Sequence, residues 1–473
     1  MTDRASFLDG VYDFTLSNWR SLRARWRDLA GGARPQTSAL LTDGAVERLR
    51  EQMQDCLEGR GGEVSARARA AALGQTYLGL LPAGRERFLQ LLATEFDINH
   101  GAVAAACQRL AHARGDEEKR NIERALRQAL EAPRVKLLTQ FNALPSGVKF
   151  LVDMRAELMK LAHHDEALGA LDQDLKNLLA HWFDEGFLEI KRITWDSPAA
   201  LLEKLMVYEA VHEIRSWSDL KNRLEADRRC FAYFHPRMPD EPLIFVEVAL
   251  VKGMADNVQS LLDETAPVGD PAEADTAIFY SISNCQRGLS GISFGAFLIK
   301  RVADRLAAEL PHLARYATLS PMPGFRAWLE TRANEEGDDL LTPPERKALD
   351  VLPGPADEKH LVSLLARPHW YEDHALAEAL KAPMLRLAAR YLVTEKTARG
   401  RALDGVAHFH LSNGARLERI NWLGDLSPKG LQQSAGIMIN YLYRLSEIED
   451  NHEAYTGEGR VTASPAIMRL LKS

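Results

Sequence analysis

The run Phe279-Tyr280-Ser281-Ile282-Ser283 reads as a strand, and Gly288, Gly291 and Gly295 follow it before a helix-like stretch with Leu298, Val302 and Leu306 on its inner face. Glycines between a strand and a helix let bare backbone N–H groups converge, and the helix N-terminus adds positive potential. The chemistry on offer is anion binding, phosphate above all. The N–H groups of Ser290 to Ala296 would form the cradle, with Arg287 beside it as a mobile cation. The spacing is not the G-x-G-x-x-G of a dinucleotide fold, and no G-K-[ST] follows to make a P-loop. A turn that uses glycine only for close packing of strand on helix is the competing reading.

Other places carry groups able to move protons. Ser320 precedes Pro321 in LSPMPGF; taken alone, that is the sequence of a helix cap or turn. It lacks the G-x-S-x-G elbow that exposes a nucleophile, which argues against a serine hydrolase pairing Ser320 with His410. His408 and His410 alternate in HFH, as on one face of a strand, where one of them can be a packed core histidine. His212 in EAVHEI reads as a helix-terminal histidine favoured by the dipole. His163-His164-Asp165 only superficially suggests a metal site, since sequence neighbours on a helix do not converge on one ion. Cys56, Cys107, Cys230 and Cys285 form no C-x-x-C pair, so neither a zinc knuckle nor a redox motif is indicated, and a reducing compartment fits.

The elements that would position these groups divide near residue 183. At 473 residues the chain calls for two domains, or one with a large helical extension. Hydrophobic content of 46% and charged content of 26% are those of an ordinary globular protein, and no apolar run is long enough for a bilayer. A net charge of -7 argues against sequence-independent nucleic-acid binding, which needs a concentrated basic face. The start has acidic residues and no continuous apolar core of a signal peptide, which predicts a cytoplasmic protein.

Up to residue 183 the pattern is helical: Val46, Leu49, Met53 and Leu57 recur at helical spacing, as do Ile122, Leu126 and Leu130. Loops are expected at 31–38 and 143–147. Beyond 183, Ser197 and Pro198 predict an N-cap and first helical residue, and strands are expected over 230–235, 242–251 and 276–283. The acidic stretches 263–275 and 332–345 read as surface loops. Asn413-Gly414 predicts a type I′ hairpin between two strands. A helix capped by Ser427, with Pro428 at its first position, would then run over 427–445.

The glycine turn is similar to the one at which acetyltransferase-type (GNAT) folds hold the diphosphate of coenzyme A. The nearest fit to their [RQ]-x-x-G-x-[GA] pattern is Gly288 to Ser293, without the leading Arg or Gln. Taken in order, GVKFLVDMRAEL, YEAVHEI, FYSIS, QRGLSGISFGAFLIKRV, YATLSPMPGFRAWL, HFHLSNGA and RINWLGDLSPKG resemble the malonyl-CoA decarboxylase family from about residue 140 onward. The earlier helical part resembles it more loosely.

The resemblance implies an α+β protein: an all-helical N-terminal bundle domain over 1–183, for oligomerisation or support, followed by a GNAT-like α/β catalytic domain over 184–473. It implies conversion of malonyl-CoA to acetyl-CoA and CO2, with Ser320 and His410 as catalytic and substrate-binding residues. The CoA cradle would be Ser290, Gly291, Ile292, Ser293, Phe294, Gly295 and Ala296; the family pattern can carry a Glu where this chain has Ser293. Ser320 would orient the substrate or relay a proton, and His410 would protonate C2, helped by an ordinary imidazole pKa of about 6.5. A coenzyme A thioester is then the substrate, its carbonyl the electron sink, and neither a cofactor nor a metal is expected. Neither nucleic acid nor membrane is an expected partner; a homo-oligomer, dimer or tetramer, is. A CoA-dependent acyltransferase and a non-enzymatic acyl-CoA sensor are the alternatives.

Overall fold

A computed structural model describes residues 22–23, 25–30, 41–59, 62–183, 185–292, 298–353 and 360–472. By contact the chain forms two compact units, Met1–Glu189 with Phe234–Leu243 and Cys285–Phe294, and Ile190–Tyr233 with Ile244–Asn284 and Gly295–Ser473.

The first unit is helical. Its helices include Asp43–Glu58, Glu63–Gly79, Pro82–Glu95, His100–His112, Asp116–Ala129, Pro133–Phe141, Gly147–Leu161 and Glu166–Trp182. Local chemistry sets their starts: Pro82 and Pro133 occupy first-turn positions where a missing N–H costs nothing, while Asn99 and Asp165 accept backbone N–H bonds as side-chain caps. Ala45, Leu49, Met53 and Cys56 bury one stripe of the first of these helices, and Leu168, Leu171, Leu175 and Leu179 one stripe of the last. Trp26 packs edge-on against Phe150, and Tyr77 against Phe88. The stripe expected from Ile122, Leu126 and Leu130 is only partly core, for Ile122 is buried but Leu130 is half exposed just past its helix.

The second unit is built on a mixed sheet. Its strands are β1 (Glu189–Ile193), β2 (Arg228–Phe234), β3 (Ile244–Val251), β4 (Thr276–Asn284), β5 (Arg315–Thr318), β6 (Ser320–Pro321), β7 (Arg416–Asn421) and β8 (Met438–Tyr443). They lie in the order β1-β2-β3-β4-β5-β8-β6, with β7 also paired to β8. The expected strands over 230–235, 242–251 and 276–283 are β2, β3 and β4, and their near-continuous burial explains why apolar runs rather than alternation announced them. β4 and β5 are parallel, joined through the helix Leu298–Glu309, which buries Leu298, Val302 and Leu306. β4, this helix and β5 thus form a strand–helix–strand crossover.

Several local expectations fail for identifiable reasons. Pro198, not Ser197, is the N-cap of the helix Ala199–Tyr208; the Ser197 hydroxyl instead accepts the Thr194 N–H. The stretch 332–345 is largely helical: its first residues finish the helix Phe325–Glu336, and Thr342 with Glu345 forms a capping box for the next helix. The helix starting at Pro428 is capped by Ser427 as expected, but stops at Ser434, where Ala435 and Gly436 take left-handed backbone and turn the chain into β8.

Candidate active site

The parting of two strands places Ser320. β4 pairs with β5 up to Phe279 opposite Thr318, and the Leu319 N–H still bonds the Phe279 carbonyl at 3.0 Å. The chain then leaves β4, and β6 pairs with β8 instead, Ser320 opposite Ile439 and Pro321 opposite Met438, while β4 runs on to Asn284. Ser320 is therefore a strand residue, not a helix cap. It is buried, and its hydroxyl donates to the Thr318 Oγ1 at 2.8 Å. Thr318 is itself fixed: its Oγ1 accepts the Tyr441 N–H, and its carbonyl accepts from the Asn440 side chain at 2.7 Å.

His410 comes from a helix, Gly405–Ser412, where a hairpin strand was expected. The composition of VAHFHL suits either structure, and the ends decide. Asp404 caps the helix, accepting the N–H groups of Val406 at 2.9 Å and Ala407 at 3.0 Å. Asn413 and Gly414 close it instead of making a hairpin turn, with the Ala415 N–H returned to the His410 carbonyl. Gly414 has φ of 79°, and a Cβ there would lie 2.1 Å from the Ile448 carbonyl oxygen, so only glycine fits.

On a helix, residues two apart diverge, and the two histidines part company. His408 bonds the Tyr455 hydroxyl through Nδ1 at 2.8 Å. His410 is buried, with Nε2 2.9 Å from the Ser320 Oγ and Nδ1 2.8 Å from the Tyr443 hydroxyl. Its ring stacks on Tyr441, centroids 4.4 Å apart. Burial alone pushes His410 down to about 3, so the imidazole is neutral near pH 7 rather than about one-quarter charged as an exposed histidine would be. A neutral ring has one N–H and one acceptor nitrogen, and both neighbours are hydroxyls that can serve either need.

The glycine turn is described only in part. Arg287–Leu289 form one 3₁₀ turn, and Gly291 has φ of 72°. The Arg155 guanidinium, held by Asp172, bonds the carbonyls of Gly288 at 2.7 Å and Ser290 at 3.0 Å. The expected cradle is narrower than the sequence suggested, because the N–H groups of Ser290 and Ile292 are taken by the carbonyls of Arg287 and Leu289. Ser293, Phe294, Gly295 and Ala296 lie outside the described residues.

His212 is not at a helix end. It lies in the bend after Tyr208, its N–H held by Glu209, and burial pushes its ring down to about 4. Asp165 next to His163 and His164 is a helix cap. Among the described residues no group of three or more His, Cys, Asp or Glu side chains is set to hold a metal ion, and no helix is long and apolar enough to cross a membrane.

Thr318, Asp404, Tyr441 and Tyr443 escaped the sequence reading. An alternating N-Y-L-Y pattern could have revealed β8 and its two tyrosines, and an Asp directly before GVAHFHL could have signalled a cap.

Comparison with known proteins agrees over nearly the whole chain. Residues 96–183 match the profile of the malonyl-CoA decarboxylase N-terminal domain, and residues 186–473 that of the malonyl-CoA decarboxylase C-terminal domain. The mitochondrial malonyl-CoA decarboxylase of Anser anser anser is 38% identical over 429 residues, covering 86% of this chain and 84% of that protein. Its counterpart from Rattus norvegicus is 39% identical over 416 residues, covering 84% and 83%. Among solved structures, malonyl-CoA decarboxylase from Rhodopseudomonas palustris superposes with a TM-score of 0.82 at 40% identity, over 90% of this chain and 99% of that one. The Agrobacterium vitis protein gives 0.78 at 42% identity, over 89% and 99%. Sequence profile, full-length relatives and fold thus converge, and the chain belongs to the malonyl-CoA decarboxylase family.

Proposed function

We propose that this chain converts malonyl-CoA to acetyl-CoA and CO2 through a thioester enolate that is protonated at C2 by way of Ser320 and His410. The observation that carries the reading is the buried contact of 2.9 Å between the Ser320 Oγ and the His410 Nε2, continued at Nδ1 by Tyr443.

The malonyl carboxylate leaves as CO2 when the bond between C2 and the carboxylate carbon breaks and its electron pair moves into the thioester carbonyl, which is the electron sink. Neither metal, biotin nor pyridoxal phosphate is needed to accept it. A water-poor site favours this step, because a localised carboxylate gives way to a neutral gas and a delocalised enolate. A hydroxyl donor aimed at the enolate oxygen or at C2 can supply roughly 3 kcal/mol, as oxyanion-hole donors do.

Protonation does not require an imidazolium, since a thioester enolate is a far stronger base than any group in the site. With the ring proton on Nε2 and Tyr443 donating to Nδ1, C2 takes the Ser320 proton, Ser320 takes the Nε2 proton and Nδ1 takes the Tyr443 proton. Tyr443 is buried and burial holds its hydroxyl well above the ordinary tyrosine range, so its anion is only transient and one proton drawn from solvent restores it before the next turnover. One proton is consumed per turnover, as the conversion of malonyl-CoA to acetyl-CoA and CO2 demands. Ser320 is thus a relay as well as an orienting group. The turn around Gly291 is proposed to receive the CoA diphosphate, and the enzyme to act as a cytoplasmic homo-oligomer, which sedimentation and cell fractionation test.

Incubation of purified, exhaustively chelated protein with malonyl-CoA alone tests the reaction. Acetyl-CoA and CO2 in equal amounts are expected. Free CoA with malonate would mark a hydrolase, and no product without a second substrate would mark a transferase or sensor; either overturns the proposal.

A further inference from the structure

Asp404 lies next to the proposed proton relay without belonging to it. Its carboxylate is buried, and its two oxygens serve different segments. Oδ1 caps the helix that carries His410, through Val406 and Ala407. Oδ2 accepts the Gly324 N–H at 3.3 Å and the Tyr391 hydroxyl at 3.4 Å. Gly324 ends the Ser320-Pro321-Met322-Pro323-Gly324 stretch and is the N-cap residue of the helix Phe325–Glu336. The corner is tightly packed: a Cβ on Gly324 would lie 2.4 Å from the Tyr391 hydroxyl, and the Tyr391 ring packs against Phe325 and Trp328.

A single carboxylate therefore joins two helix starts, one leading to His410 and the other immediately following the Ser320 stretch. We propose that Asp404 is a positioning residue for the decarboxylation, holding the His410 helix and the Ser320 stretch in the register that gives their 2.9 Å contact. Asp404 hydrogen-bonds neither Ser320 nor His410, so its effect on turnover passes through their geometry. Displacements on the order of 1 Å in reacting groups can cost about a hundredfold in rate.

Asp404→Asn separates the link from the cap. Asparagine is as good an N-cap as aspartate, so its carbonyl oxygen can keep the bonds to Val406 and Ala407. Its amide nitrogen, however, is a donor and cannot pair with the Gly324 N–H. The expected result is a kcat lower by about ten- to a hundredfold, with KM for malonyl-CoA within about threefold and a melting temperature close to wild type.

Gly324→Ala breaks the same link from the other side, by pushing Tyr391 and the Gly324 N–H away from the carboxylate. The double variant Gly324→Ala with Tyr391→Phe removes the colliding hydroxyl and should recover most of the lost kcat. This rescue pair decides the matter if Asp404→Asn does not fold.

The inference rests on the proposed reaction, and the outcomes separate the two. Wild-type protein that makes no acetyl-CoA overturns the reaction and this role with it. Active wild type beside a folded Asp404→Asn of normal kcat overturns the role alone, as does a Gly324→Ala defect that Tyr391→Phe fails to relieve. A loss of kcat that merely tracks a fall in melting temperature does so too, because that is the signature of a structural carboxylate.

Discussion

Acidifying the free enzyme from pH 8 to pH 5 should leave His410 uncharged. Among the described residues its two ring nitrogens meet only the hydroxyls of Ser320 and Tyr443, and burial pushes the imidazole down to about 3. At pH 7 an imidazolium with that pKa is present in about one molecule in ten thousand, against about one in four for an unperturbed histidine of pKa about 6.5. Were the charged ring the required acid in the free enzyme, kcat/KM would climb about tenfold for each pH unit of acidification. With a neutral relay it should instead stay flat across this range so far as His410 is concerned.

The sign of the stability effect follows from the same depressed pKa. Between about pH 6.5 and 3 the unfolded chain binds a proton at this residue that the folded chain refuses, so stability is fully present above pH 6.5. It is lost as pH falls, by up to about 1.4 kcal/mol per unit from this group. The assay is a kcat/KM profile of wild type and His410→Gln beside an NMR titration of the ring, its signals identified by their absence from the variant. A ring titrating near pH 6.5 in the wild type, with a matching limb in kcat/KM that the variant lacks, would refute the neutral relay.

His410→Ala should leave malonyl-CoA binding largely intact and cut turnover by roughly two to four orders of magnitude, read by single-turnover kinetics on protein with a normal melting curve. Ser320→Ala should also lose turnover, and no acyl-serine should be trapped from wild type on acid quench, since Ser320 passes a proton and forms no bond to carbon. Gly291→Leu should weaken CoA binding measured by calorimetry, because φ of 72° and a crowding Lys176 ammonium 3.2 Å from the new Cβ force the turn to move; unchanged affinity would place the phosphate elsewhere. Gly414→Ala should destabilise the fold, by roughly 2 kcal/mol or more in denaturant titration, because its Cβ meets backbone rather than a movable side chain.

Legibility in the sequence followed the range of the interactions involved. β2, β3 and β4 announced themselves because a fully buried strand is a continuous run of apolar and β-branched residues. The proline- and serine-marked start at Ser427 was equally visible, being decided within three residues by the Gly430 N–H. Gly405–Ser412 was misread because its interior favours neither structure and its identity rests on Asp404 at one end and Gly414, confined by Ile448, at the other. The pair Ser320–His410 lies 90 residues apart and has no periodic signature; only resemblance to a family joined the two. The depressed pKa of His410 was out of reach for the same reason, since burial is a property of everything that surrounds the ring. Tyr443, Thr318 and Asp404 enter through contacts between segments that no local pattern encodes.

The closure of the His410 helix also bears on how the protein ages. Asn-Gly is the dipeptide most prone to deamidate, by attack of the glycine nitrogen on the asparagine side-chain carbonyl to form a succinimide. Here the Gly414 N–H is committed to the Leu411 carbonyl at 3.1 Å, the Asn413 amide donates to the Phe409 carbonyl at 2.8 Å, and Asn413 is buried. The folded helix end therefore holds nucleophile and electrophile apart, while any opening of that end releases them. Isoaspartate at residue 413, counted by peptide mapping after storage, records the time this corner of the molecule has spent unfolded.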